Sequence, residues 1–226
     1  MFKSSILRKI FAVTMLASCL ATMPMFDNVE PAFAAKKKSS TKKTAASSKS
    51  TFSLDKYIKA HENDDRNAIH QQLVALKGDF RRTFNFAGAS NVNLLMIACR
   101  CAADVNSIDA IATLIDNCPD LINARDSKGQ TAIFYSLVNN YTLPFEILME
   151  DPRTQINITT NSGYAPIQAL VGIWGAMYPS EEQAIWQMIE RGASLNYAGA
   201  GLPSAINIMI QRKDPLANKF LPVAKQ

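Results

Sequence analysis

From Leu54 onward, apolar residues recur at helical spacing in short stretches, each cut off by a polar or glycine-bearing turn. Residues 54–63 and 65–77 read as a first pair of helices. Ile69, Leu73 and Leu76 share one face of the second, Asp65 is placed to cap its start, and Gly78 ends it. A second pair falls at 94–101 and 107–117, where Ile108, Ile111, Leu114 and Ile115 form a stripe for burial and Pro119 stops the helix. A third is expected at 131–140 and 144–150, with Pro144 in a first turn. The fourth occupies 166–172 and 180–191, where Ser180 and Gln183 have capping-box spacing. A helix at 204–212 and a short closing helix at 215–221 complete the run. The first pair reads as a degenerate unit that closes one end.

The turns between pairs are alike. The stretch from Ile122 to Ser136 reads I-N-A-R-D-S-K-G-Q-T-A-I-F-Y-S. Gly129 can take a positive φ, and Thr131 is placed to cap the helix that follows. Apolar-Asn pairs recur at Phe84-Asn85, Ile122-Asn123, Ile156-Asn157 and Leu195-Asn196, with the asparagines 38, 34 and 39 residues apart. Six residues after the first three stand Asn91, Gly129 and Gly163, which all tolerate a left-handed backbone; Gly201 follows Asn196 by five. Such periodicity predicts stacked supersecondary units, hence an all-α, solenoid-like class of about four or five helix-turn-helix repeats over 52–226.

These motifs resemble the ankyrin-repeat family, whose turn and first helix contain T-P-L-H-x-A. The matching positions are Thr131-Ala132-Ile133-Phe134-Tyr135-Ser136, Ala165-Pro166-Ile167-Gln168-Ala169-Leu170 and Asn93-Leu94-Leu95-Met96-Ile97-Ala98. Met188-Ile189-Glu190-Arg191-Gly192-Ala193-Ser194-Leu195-Asn196 is similar to the family's second-helix ending, an apolar run followed by G-A-D-x-N. The resemblance spans residues 85–222, and the family's usual His is absent throughout, which removes a turn-bracing hydrogen bond. A tetratricopeptide array has a similar period, but its W…LG…Y…A…F…P pattern is not found.

The ankyrin resemblance implies a non-catalytic protein-binding module whose contacts lie on the turns and the inner helix face. The implied contact positions are Ser127, Lys128, Gln130, Val138 and Asn139 in one repeat, and Asn161, Ser162, Tyr164, Gly172 and Ile173 in the next. In the preceding repeat they are Ala89, Ser90, Val92, Arg100 and Cys101. Among these Tyr164, Arg100 and Lys128 are the preferred contacts, since aromatic and Arg side chains dominate interface energies. Trp174 and Tyr178, in the long loop 173–179, form a second candidate patch that either anchors a partner or folds back over its own repeat.

Charge divides the chain. The whole carries +5, but residues 52–226 hold fifteen Lys/Arg against seventeen Asp/Glu, a balance of −2. Basicity sits in residues 35–51, built only of Ala, Lys, Ser and Thr, with Lys36, Lys37, Lys38, Lys42, Lys43 and Lys49. That composition predicts a disordered linker, read either as a solvated spacer or as a weak, salt-sensitive tether to an anionic membrane or cell wall; the tether is the basis of an alternative function as an envelope-associated structural protein. It argues against a nucleic-acid-binding domain, which would cluster charge on one folded face. Residues 1–34 read as an export signal: a basic end with Lys3, Arg8 and Lys9, an apolar stretch over 10–26, and the small-x-small site Ala32-Phe33-Ala34. Cleavage after Ala34 fits this pattern best. Leu16-Ala17-Ser18-Cys19 resembles a lipobox, making Cys19 the candidate lipidation site, and retention as an anchor is the third reading. All three place the remainder in the periplasm, at the cell surface or outside the cell.

Little in the sequence points to catalysis. No G-x-S-x-G, H-E-x-x-H or Walker-type loop occurs, and His61 and His70 lie nine apart, off a shared helical face. Cys99, Cys101 and Cys118 are read as small buried side chains, with a Cys99–Cys118 disulfide admitted only if their Cα atoms approach within about 7 Å. The sequons at Asn140 and Asn157 are weak signals. No cofactor and no metal site is expected, the working partner is an unidentified protein, and the chain is expected to be a monomer.

Overall fold

The computed structural model of the chain describes residues 51–139, 142–174, 180–199 and 201–225. These residues are mainly helical. The helices are α1 (Leu54–Glu62), α2 (Arg66–Ala75), α3 (Leu94–Cys101), α4 (Val105–Asn117), α5 (Ala132–Leu137), α6 (Leu143–Glu150), α7 (Pro166–Ile173), α8 (Glu181–Glu190), α9 (Ala205–Gln211) and α10 (Leu216–Ala224). A short 3₁₀ turn, Pro119–Ile122, follows α4. The signal, the linker, Cys19, the sequon at Asn140 and Tyr178 lie outside the described residues.

Helices with odd numbers pack in sequence order, α1 on α3, α3 on α5, α5 on α7 and α7 on α9; α2, α4 and α6 form a second row. The two rows differ in pattern for a physical reason. Every side chain from Leu94 to Cys99, from Ala132 to Leu137 and from Pro166 to Val171 is buried. These helices are apolar all round because neighbours cover both sides. At six to eight residues they are too short to persist alone in water, so packing holds them. In contrast α4 is two-faced: Ser107, Ala110, Ile111, Leu114 and Ile115 are buried. Its stripe is rotated from the expected one, for Ile108 is only half-buried and the small Ser107 and Ala110 lie inward instead.

One element departs from an all-helical reading. Strands β1 (Thr83–Phe86) and β2 (Ala89–Asn93) form an antiparallel hairpin. Ala87 and Gly88 at its tip both have positive φ, at 52° and 72°, the signature of the turn that matches strand twist. Two expected caps are also absent. Thr131 and Ser180 make no side-chain bond at their helix starts. Asp65 does, accepting from Ala68 N at 3.0 Å.

Successive layers are joined by a repeated device. Asn139, just past α5, donates to the carbonyls of Cys99 and Ala102 at the end of α3, both at 2.9 Å. Trp174, just past α7, donates from Nε1 to Leu137 O at the end of α5 at 2.9 Å. Arg212, just past α9, donates to Val171 O at 2.6 Å and Gly172 O at 2.9 Å at the end of α7. A helix C-terminus leaves orphan carbonyls, and here the next layer supplies the donors. Arg191 does the same for α6, donating to Met149 O and Thr154 O at 2.7 Å each. Asparagines 123, 157 and 196 reach forward in the opposite sense, to the carbonyls of Arg153, Gly192 and Ala224.

At the first layer His61 is fully buried, with neither ring nitrogen bonded, and its ring meets Tyr57 edge-on at 4.5 Å. Burial pulls its pKa down to about 4 from 6.5, against the weaker upward pull of Asp64. The unfolded chain therefore binds a proton that the folded one refuses between those values. Stability is full above pH 6.5 and falls as pH drops toward 4, by about 1.4 kcal/mol per unit. His61→Phe, which keeps the ring, is expected to flatten that acid limb in urea melts taken from pH 7 to pH 4. An unchanged limb would mean the imidazole gains a proton partner in solution. The three described cysteines are free thiols, two buried and one half-buried, so no Cys99–Cys118 bridge forms. Burial pushes the Cys101 thiol up to about 12 and the Cys99 thiol higher still, which makes both poor nucleophiles.

Candidate interaction surface

The bend at 126–130 is built around a buried carboxylate. Asp126 Oδ1 accepts from the backbone N–H groups of Lys128 and Gln130, both at 2.8 Å, and Oδ2 accepts from Tyr135 OH at 2.8 Å. Tyr135 thus braces the bend from α5, the task for which the sequence offered no His. Asp126 N donates to Gln130 O and Gly129 N to Asp126 O, closing the loop, with Gly129 at φ +78°. The bend at 160–164 repeats these bonds: Thr160 N donates to Tyr164 O, Gly163 N to Thr160 O, and Gly163 sits at φ +84°. Thr160 Oγ1 replaces the carboxylate, accepting from Tyr164 N at 3.1 Å. Asn91 at φ +61° marks the corresponding place in β2.

These bends bond to one another in register. Ser127 N donates to Ser90 O and Asn161 N to Lys128 O, each at 2.9 Å. Side chains reinforce the row: Ser90 N donates to Ser127 Oγ at 2.9 Å, Asn161 Nδ2 to Ser127 O at 2.9 Å, and Arg125 Nη2 to Thr159 O at 2.7 Å. In the next layer Gly199 lies so close to the Gly163 carbonyl that a Cβ there would overlap it.

Compared with known proteins, the chain matches no family model and shows no significant similarity to a curated protein. The surface must therefore be read from its own geometry.

The expected contact residues divide sharply. Ser127, Lys128, Asn161 and Ser162 are exposed on the row of bends, and Gln130 and Arg100 are half-buried beside it. Tyr164 is 5% exposed and Trp174 1% exposed, so neither presents a surface. Tyr164 packs inward beneath its bend. Trp174 folds back onto Phe145, with ring centroids 5.2 Å apart, while its N–H caps α5. Asn139 is occupied in capping α3, and Ala89 and Val92 face the core. These expectations are corrected accordingly: burial and capping use the groups that the contact reading needs free.

The hairpin supplies surface residues that the repeat frame passed over. Phe84 and Phe86 are half-buried, and Arg82 lies over the Phe84 ring at 5.5 Å and over Phe52 at 5.9 Å. Arg100 lies over Phe86 at 5.9 Å. A Phe-Asn-Phe alternation ahead of Ala-Gly was the available signal. A half-open groove of about 300 Å³ lies between α2 and α4, floored by Ile69, Leu73 and Phe80, with His70 at its side and the Arg66–Asp109 ion pair (3.4 Å) on its rim. Among the described residues no cluster of His, Cys, Asp or Glu is placed to hold a metal, and no helix is long and apolar enough to cross a membrane.

Proposed function

We propose that the helix pairs form an ankyrin-type solenoid that works by rigid display, holding contact residues on its bends for a protein partner. The observation that carries this reading is the register of the bends: glycines 129 and 163 share one backbone state, and each bend is bonded to the one before it. Contact groups fixed in advance lose less freedom on binding, so more of the interaction appears as affinity. The side chains offered are Arg100, Ser127, Lys128, Gln130, Asn161 and Ser162. The reading includes export: the pattern of residues 1–34 supports it, and mass spectrometry of the mature protein, starting at Ala35 or carrying lipid at Cys19, tests it.

Affinity capture from the native compartment tests the display. A specific partner is expected with the parent chain, weakened about tenfold when Lys128→Ala and Asn161→Ala are combined. Capture indifferent to both changes would count against the bends as the contact surface. The lysines of residues 35–51 favour a second contribution, loose adhesion to an anionic envelope, which sedimentation with membranes or wall at rising salt would reveal.

A further inference from the structure

Three cations and three rings gather at the hairpin end of the row. The Phe52 and Phe84 centroids lie 5.4 Å apart with Arg82 over both rings, and Arg100 covers Phe86. Lys128 reaches across from the neighbouring bend, its Nζ 3.6 Å from where a Cβ on Gly88 would stand. Arg66, Arg81, Arg153 and Lys219 each pair with a carboxylate. Among the described residues Arg82, Arg100 and Lys128 have none within ion-pair reach; eight other Lys and Arg there have none either, so what sets these three apart is their gathering beside the rings. Strand β1, from which Phe84 and Phe86 project, has a strand neighbour on one side only among those residues.

We propose that this surface binds an extended acidic peptide segment of a partner protein, its carboxylates on Arg82, Arg100 and Lys128 and its apolar side chains on the Phe84–Phe86 strip. The inference rests on the partner-binding reading above and names the chemistry of the partner. Charge chooses the occupant. Residues 52–226 balance at −2, so three unpaired cations in one place are a local excess against the background. A guanidinium held over a ring is pre-positioned and keeps its donor fork free for a carboxylate. The chain's own linker, with six lysines, carries the same sign and is repelled. Aromatic rings beside arginines also suit a single-stranded nucleic acid. That ligand brings a phosphate at every nucleotide, and a domain of net negative charge offers too few cations to meet them.

The test is fluorescence anisotropy on the full chain with three labelled probes: a peptide of alternating Glu and Leu, its Lys and Leu counterpart, and oligo(dT). The Glu/Leu peptide is expected to bind, and to lose about tenfold or more in affinity when Arg82→Glu and Lys128→Glu are combined. Both side chains are exposed, so folding should survive; the neutral pair Arg82→Gln and Lys128→Gln should give an intermediate loss. Replacing the six linker lysines by Ser should leave the patch-dependent loss intact. Four outcomes would overturn the inference: no binding of the Glu/Leu peptide, binding indifferent to the patch, binding abolished by the linker change alone, or tighter binding of oligo(dT). If affinity capture yields a partner that ignores Arg82→Glu alone yet is weakened by Lys128→Ala, this inference fails while partner binding through the bends stands.

Discussion

Gly129→Ala is expected to destabilise the fold by about 3 kcal/mol, whereas Gly192→Ala, the same chemical change, should cost only about 1 kcal/mol. Both glycines have positive φ, +78° and +90°, so both variants carry the left-handed penalty of an L side chain. They differ in what the new methyl meets. At Gly192 nothing lies within 4 Å. At Gly129 the Cβ would stand 2.5 Å from Arg125 Nη2 and from Asn161 Oδ1, and 2.7 Å from the backbone N of Asn161. The two side-chain ends can swing away. The backbone nitrogen cannot, because it donates to Lys128 O and so joins one bend to the next. Relief of the clash therefore pulls the bends apart and loses that bond, worth about 1 kcal/mol and more if its groups stay buried. Thermal melts followed by circular dichroism should show a drop of about 10 °C for Gly129→Ala and about 3 °C for Gly192→Ala. Equal drops would mean that the contact between bends contributes nothing to stability.

The same glycine shows how much could be read beforehand. A residue able to take positive φ at a fixed distance from an Asn is a local signal, and it placed the bends. Helical periodicity placed the helices within a few residues. What failed was non-local. For Trp174 the sequence leaves two readings open, surface anchor or fold-back, and what chooses the second is distant: its N–H finds the Leu137 carbonyl and its ring finds Phe145, partners invisible to any window around it. Residue type puts Tyr164 among the contacts, but residue type does not say whether a side chain turns out or in, and this one is buried. The hairpin is hidden when Phe84-Asn85 is aligned with Ile122-Asn123, although four residues of alternating pattern before Ala87-Gly88 obey strand rules.

The clamps between layers give the stack a direction. Each of Asn139, Trp174 and Arg212 reaches back to carbonyls one layer earlier, so a layer is completed only when its successor is in place. α9 and α10 form the last described layer, so this end leans most on its own side chains. One of those near it is an acid held in an unfavourable place.

Glu181, at the start of α8, is fully buried, and neither carboxylate oxygen has a hydrogen-bond partner. Burial, with a smaller push from Asp214, raises its pKa from 4.5 to about 8; Arg212 opposes both without cancelling them. A helix N-terminus also favours the anion, yet desolvation wins. Between pH 4.5 and 8 the folded chain thus keeps a proton that the unfolded chain releases. Stability is full below pH 4.5 and falls as pH rises through that window, by about 1.4 kcal/mol per unit at most. Glu181→Gln keeps the volume, removes the titration and leaves a neutral group in the same place. Denaturant melts of parent and variant should nearly coincide at pH 5 and separate as pH rises, the variant leading by about 3 kcal/mol at pH 9, since water entry and relaxation relieve part of the full shift. Asp214→Asn should narrow the gap by removing the second push while leaving the larger, burial part in place. If parent and variant lose stability in parallel from pH 5 to pH 9, the carboxylate is paired or wetted in solution, and the last layers are held by something other than a neutral acid.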